Sequence, residues 1–310
     1  MKEKCEEFSR NFLGQDILSK SSTYLYPFII EFSLIGASVA YIMSNHIGFR
    51  PGTKESEVNH IHRPHPIRHL RKADFTHTLK GTVCGLLILL IGVINLILFF
   101  GIATHDESQA ELISKSSNTV INIVGIVALV IGIAELHHLD NKTEDDEPGS
   151  YDLDMFLLRF TSFFSFMYMI FTIITGAFNH HVENFPNELH IINGVCDLVQ
   201  VVLQLCFIQS LKQKAYLNNQ EYVMPGRQIT VFLFLFNLTQ WIVFTFEIQK
   251  VKASLVEGEF YGFMPWVLIR RVTLPLAVFF RFHSAVVSIE LWKEVYAPKP
   301  SNELEMNVCH

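Results

Sequence analysis

The sequence predicts an all-α polytopic membrane protein with seven transmembrane helices, and two observations carry that prediction. Half of its 310 residues are hydrophobic and only 17% are charged, against about 25% charged in soluble domains. Seven stretches are each apolar over the roughly 20 residues that a helix needs to cross a hydrocarbon core about 30 Å thick. Strands of a membrane barrel alternate in polarity over about 10 residues. These runs are longer and do not alternate, so helix is the form that pairs their backbone in lipid.

Taken in order, residues 1–22 are a polar segment of mixed charge and do not read as a cleavable signal peptide. The first span occupies 23–47, apolar from Tyr24 to Ile47. A basic loop over 48–78 follows and carries His60, His62, His65 and His69. Imidazoles suit zinc, copper or nickel, but no cysteine or carboxylate completes a site, and a loop lying near lipid headgroups is the favoured reading. Residues 79–293 hold six further spans: Leu79–Ala103, Thr119–Leu139, Met155–Phe178, Leu189–Leu211, Ile229–Ile248 and Tyr261–Lys293. The acidic turn Thr143–Ser150 joins the third span to the fourth, and 294–310 form a tail.

Lys and Arg crowd the loops after the first, third, fifth and seventh spans, with Arg50, Arg63, Arg68, Arg71 and Lys72 in the first of them. The loop between the fourth and fifth spans has none. Positive loops stay in the cytoplasm, so the reading is N-terminus outside and C-terminus inside, in the plasma membrane. A net charge of −6 argues against a nucleic-acid partner. The five cysteines form no CxxC pair. No phosphate loop, dinucleotide fingerprint, zinc-protease or nucleophile-elbow motif occurs, so no enzyme, cofactor or metal is expected.

The last span is the most charged, with Arg270, Arg271, Arg281, His283 and Glu290 in or beside it and Pro265 and Pro275 expected to bend it. Charges at bilayer depth face a bundle interior or a wet cavity. Residues three, four or seven apart share a helix face. The fifth span thus aligns His190, Asn193, Asp197, Gln200 and Gln204. The third offers Asn118, Asn122 and Glu135, the sixth Asn237, Gln240 and Glu247, the second Asn95, and the first Glu31. For any one amide the plainer reading is interhelical hydrogen bonding. Aligned carboxylates, amides and imidazoles on several helices suggest the lining of a hydrated path, able to relay or sense protons.

Five stretches carry a family resemblance: YLYPFIIEFSL from Tyr24, LKGTVCGLLILLIGVINLILFF from Leu79, LVQVVLQLCFI from Leu198, PGRQITVFLFLFNLTQWIVFTFE from Pro225, and FYGFMPWVLIRRVTLPLAVFFRFHSAVVSIELWK from Phe260. In this order they resemble the carboxy-terminal half of an otopetrin, the proton-selective channel family. The resemblance implies twelve helices in two six-helix halves, each an α-barrel-like bundle, assembled as a dimer with both ends cytoplasmic. The first span would be the last helix of the first half, and 79–293 the second half. Each half would hold a constriction of a Gln, an Asp or Asn, and a Tyr. Gln204 or Gln200 resembles the glutamine and Asn237 the amide. Phe280 stands where the family has Tyr, in RFHS with Arg281 and His283. Glu31 resembles an acid at the interface between halves, and zinc sensitivity is implied without a placed site.

The resulting expectation is a proton channel, or half of one. Gln200, Gln204, Asn237, Asp197, Glu247, His283 and Phe280 would lie on the path, and Glu31, His190, Arg281 and Glu135 at interfaces or gates. Its partners would be protons, the bilayer, and a second copy or another otopetrin subunit. Two alternatives stand beside it. One is a seven-helix receptor, although the third span lacks a DRY-like end and the seventh lacks NPxxY. The other is a non-conducting subunit that pairs with a full-length channel.

Overall fold

The structure, a computed structural model, describes residues 78–103, 105–137, 151–178, 187–213, 226–250 and 255–296, with eight single helical positions between 29 and 44. The segment 1–22, Glu31, the His-rich loop before Thr78 and the tail beyond Tyr296 lie outside the described residues, as does the side chain of Glu247. The described elements are α1 (Leu79–Ile102), α2 (Glu107–Leu136), α3 (Tyr151–Phe178), α4 (Asn187–Lys212), α5 (Arg227–Lys250), α6 (Leu255–Tyr261) and α7 (Phe263–Tyr296). All but α6 are long and apolar enough to cross a membrane. The chain is a multi-pass membrane protein.

Two differences from the expected spans matter most, each with a local reason. The third span was expected from Thr119, yet α2 starts at Glu107. Asp106 caps it, its carboxylate accepting from the backbone N–H groups of Ser108 and Gln109 at 3.0 and 3.2 Å. A polar first stretch hid this helix from a hydropathy reading. The last span was expected as one helix from Tyr261, but Gly262 at φ +82° separates α6 from α7, a conformation open to glycine at little cost. Pro265 consequently falls in the first turn of α7, where a backbone donor has no intrahelical acceptor to lose, and only Pro275 lies in the helix interior.

The helices close on themselves. α1 packs on α5, α5 on α7, α7 on α3, α3 on α4, α4 on α2, and α2 returns to α1, while α6 lies against α7 and α3. The result is a six-helix barrel. Its outer face is apolar, with Leu86, Leu90, Ile94 and Ile97 of α1 and Val120, Val127 and Ile131 of α2 exposed as lipid requires.

Lipid tails are as apolar as leucine, so close packing and interhelical polar contacts must hold such a ring together. The contact of α1 with α5 shows the packing. Gly81, Gly85, Ile88, Gly92, Asn95 and Phe99 form one buried stripe at three- and four-residue spacing. A Cβ placed on Gly85 would meet the Leu235 side chain at 2.6 Å. Gly85→Leu is therefore expected to destabilise the barrel by about 2 kcal/mol. Gly101→Ala, where nothing lies within 4 Å, leaves stability unchanged. Thermal unfolding in detergent checks both.

Candidate functional site

Inside the ring, α4 presents His190, Asn193, Asp197, Gln200 and Gln204 on its buried face. From His190 to Gln204 the helix rises about 21 Å at 1.5 Å per residue, most of a hydrocarbon core. Every one of these side chains meets a partner from another helix or the next member of the stripe.

Asp197 is the hub. Its carboxylate accepts from Asn122 of α2, from Asn118 of α2 at 3.3 Å and from Asn193 at 3.3 Å. The guanidinium of Arg281 on α7 lies 3.7 Å away. Gln240 of α5 donates to the Asn122 carbonyl at 2.8 Å and so enters the same network. Arg281 is only 2% exposed, and its Cζ also lies 5.7 Å from the Phe244 ring centroid.

From Arg281 the network continues as a single file of amides. Arg281 donates to Gln200, Gln200 donates to Gln204 at 2.6 Å, Gln204 to Asn237 at 2.9 Å, and Asn237 to the Leu233 backbone carbonyl at 2.8 Å. Every donor points the same way, so each bond polarises the next. Phe207, Leu211, Leu233, Phe236, Phe280, Leu291 and Trp292 belong to one buried apolar cluster, and Thr230, Ser284 and Ser288 are buried as well.

Each end of the barrel carries charge. At the α4 N-terminal end, Lys115 contacts His190, Glu111 and Glu257, and a cavity of about 80 Å³ opens between them and Asp197. That volume suffices for a few water molecules. Burial alone would push the Glu257 carboxyl up, but the Lys115 ammonium and then the contact with His190 hold it down at about 2. At the opposite end Glu135 accepts from the backbone N–H of Gly226 at 2.7 Å. Gly226 has φ +77° and precedes α5. Arg227 lies over the Trp292 ring there, and burial pushes the Tyr296 phenol up.

The sequence-derived residues thus divide. Arg281, Gln200, Gln204 and Asn237 meet in one hydrogen-bonded run that contains both glutamines, and Asp197 joins it through the 3.7 Å ion pair with Arg281. His190 and Glu135 sit at its two ends. His283 does not join it, because its Nε2 lies 3.1 Å from the Asp154 carbonyl on α3 and its ring stacks on Phe279. Phe280 is buried in the apolar cluster. Asn95 is buried facing α5 with no hydrogen-bond partner for its amide among the described residues.

Lys115, Glu111 and Glu257 were missed as site residues. Glu111, Lys115, Asn118 and Asn122 share one face at spacings of four, three and four, a signal that was readable once the helix start was known. Nothing in the sequence announces Glu257, which sits on a helix of seven residues.

Comparison with known proteins adds a family to this geometry. The sequence model described as Otopetrin matches residues 1–282. "Proton channel OtopLc" of Drosophila melanogaster is 32% identical over 301 residues, covering 94% of this chain and 18% of that protein. "Proton channel OTOP2" of Homo sapiens is 23% identical, covering 89% of this chain and 58% of its own length. "Proton channel OTOP3" of Homo sapiens is 24% identical, with 93% and 52% covered. This chain therefore spans less than two thirds of each of these relatives. A match over nearly its whole length, to a helical membrane fold of this kind, places it plainly: the chain belongs to the otopetrin family.

Proposed function

We propose that this chain is a proton channel, or one half of a proton channel, conducting H⁺ down its gradient through the barrel interior. Support comes from the relatives, which are named as proton channels, and above all from the continuous polar run Asp197–Arg281–Gln200–Gln204–Asn237. The α4 N-terminal end faces outward and the Arg227 and Tyr296 end inward, following the loop charges. In this assignment the plasma membrane holds the chain, a second copy or a further otopetrin subunit completes it, and Glu31 lies at that junction. Membership of the family removes the ground for the receptor reading.

A proton differs from every other cation in needing no room to pass, only donors and acceptors in series. Asp197 is the residue of the run whose side chain can release and rebind a proton, the others being a guanidinium and amides. The amides of Gln200, Gln204 and Asn237 orient water and one another. Arg281 sets a fixed positive charge beside the path, which a metal cation must pass whole and a hopping proton passes through hydrogen bonds. The side chains in this conformation bond directly to each other, which closes the run, and conduction requires water to enter between them.

That closure favours a second reading, a non-conducting subunit that pairs with a longer otopetrin. The two separate on reconstitution of the purified chain alone into liposomes holding a pH dye. A proton channel acidifies them under an imposed gradient, while a pairing subunit does not. In the conducting case Asp197→Asn lowers the flux about 100-fold or more, as loss of a relay group does, and equal flux in this variant removes Asp197 from the path.

The buried pair has a stability consequence of its own. Arg281→Leu leaves the Asp197 charge facing only amides, and loss of one partner of a buried ion pair costs about 3–5 kcal/mol. The double variant Asp197→Asn/Arg281→Leu is expected to regain most of that loss. Detergent thermal unfolding of both variants measures it.

A further inference from the structure

Among the described residues, the barrel wall exposes two arginines within its membrane spans, Arg159 on α3 and Arg271 on α7. Arg159 lies eight residues into α3, about 12 Å from the start of that helix, and meets Gln209 of α4 at 3.5 Å. An arginine this near a helix end carries its guanidinium to the headgroups along an apolar stem. Arg271 is placed too deep for that.

Three contacts set its depth. Tyr168 stacks on Trp266, the Tyr261 hydroxyl donates to the Phe171 carbonyl, and His283 meets the Asp154 carbonyl. These fix an antiparallel register in which Arg271 is about level with Phe164. α3 runs from Tyr151 to Phe178, so Phe164 is its midpoint. A helix of that length, about 42 Å, crosses a core of roughly 30 Å with its midpoint about 15 Å from either edge. There the Arg271 side chain is exposed, and no described residue gives it a hydrogen bond or an ion pair. Met264, Leu268 and Val272 share its stripe and are 75%, 67% and 50% exposed. A charge at mid-depth belongs in a bundle interior or a wet cavity. Arg270, one residue earlier, lines the interior cavity, whereas Arg271 sits about 100° round the helix, on the outer side.

We propose that this outer face of α7 docks a membrane helix of a further otopetrin subunit, one that carries a carboxylate near its middle for Arg271 to pair with. The inference rests on the pairing named above and holds whether or not the chain conducts. In hydrocarbon a guanidinium and a carboxylate attract far more strongly than in water, and two parallel hydrogen bonds between them fix the register of the two helices. A second copy of this chain does not serve. The carboxylates that the described residues leave exposed, Glu188, Glu259 and Glu290, lie toward the ends of the wall. A two-fold axis along the membrane normal through this face would set Arg271 against Arg271, like charge on like. The human relatives, matched over 58% and 52% of their own length, carry further chain of the kind that can supply the helix.

The test reads contact with lipid rather than current. The full chain is made from its own locus, so that its native partners are present, and its membranes are photolabelled with a diazirine-bearing alkane dissolved in the bilayer. Peptide mass gives the labelling of Met264, Leu268 and Val272 relative to Leu86, Leu90 and Ile94 of α1, which are 50%, 55% and 48% exposed. A penalty of the size met by an arginine at a helix centre favours the covered state by about 100-fold, so the ratio is expected to be about one tenth or less. Arg271→Leu brings it near one, and Arg271→Lys, which keeps the charge, holds it low. In mild detergent a longer otopetrin, identified by its peptides, co-purifies with the parent and falls at least about tenfold with Arg271→Leu. A parent ratio near one means that lipid covers the face and overturns the proposal. So does a ratio that stays low in Arg271→Leu, or co-purification of this chain alone. Should Arg271→Leu fail to reach the membrane, the parent ratio and the chain that co-purifies with it decide. Labelling needs no proton flux, so a chain that does not conduct defeats the permeation reading and leaves this result legible.

Discussion

Everything in this fold answers to one constraint: a polar group at bilayer depth has no water to turn to and must be paired inside the protein. Asp197 is where that constraint is concentrated. Four helices send side chains to it or to its immediate partners: Asn118 and Asn122 from α2, Asn193 from α4 itself, Gln240 from α5 and Arg281 from α7. Single interhelical hydrogen bonds in membranes contribute on average about 0.6 kcal/mol. The cost of orphaning any member is larger, since a buried charge is left behind. The hub therefore acts chiefly as a specificity device, excluding other ring registers more than it stabilises this one. The glycine stripe of α1 supplies the close packing that lipid does not drive.

The interior is polarised along its length. Ion pairs occupy the α4 N-terminal mouth, a carboxylate and guanidinium the middle and neutral amides the next stretch, with Glu135 and Arg227 at the far end. Such an order matches a graded demand on water. Charge at the mouth keeps a cavity wet, whereas the amide file satisfies itself dry, and the apolar cluster excludes water until something separates it. A dry amide file conducts nothing, because each Gln or Asn would have to turn over to pass the next proton. Hydrating the stretch from Gln200 to Leu233 would have to break several bonds of one direction together.

The sequence exposed the ring members more readily than their partners. Period-3.6 polarity on α4 picked out five residues that all face the interior, because buried polar groups on an apolar helix have few places to go. Pairing across helices was not legible, since nothing in one stripe says which stripe it faces. Lys115 shows the limit well. It was read as a loop charge because hydropathy starts the span at Thr119, whereas capping by Asp106 starts the helix three turns earlier. His283 fails in the other direction. It lies two residues from Arg281, and that offset of about 200° turns it from the barrel interior to α3.

Phe280 brings these strands together. The family pattern would set a tyrosine hydroxyl here, and the chain sets a ring with no donor or acceptor. The hydrogen-bonded file ends where its last amide, Asn237, donates to the Leu233 carbonyl on its own helix. Phe280 itself is buried without exposed surface in the apolar cluster, its ring 5.8 Å from the Arg281 Cζ. The file thus ends in a backbone acceptor that donates to nothing further. An aromatic ring beside Arg281 adds no donor or acceptor, so the file is built from the guanidinium and amides alone. It leaves the hub at Asp197 and the mouth at His190 untouched, and the amide file keeps its one direction from Arg281 to the Leu233 carbonyl.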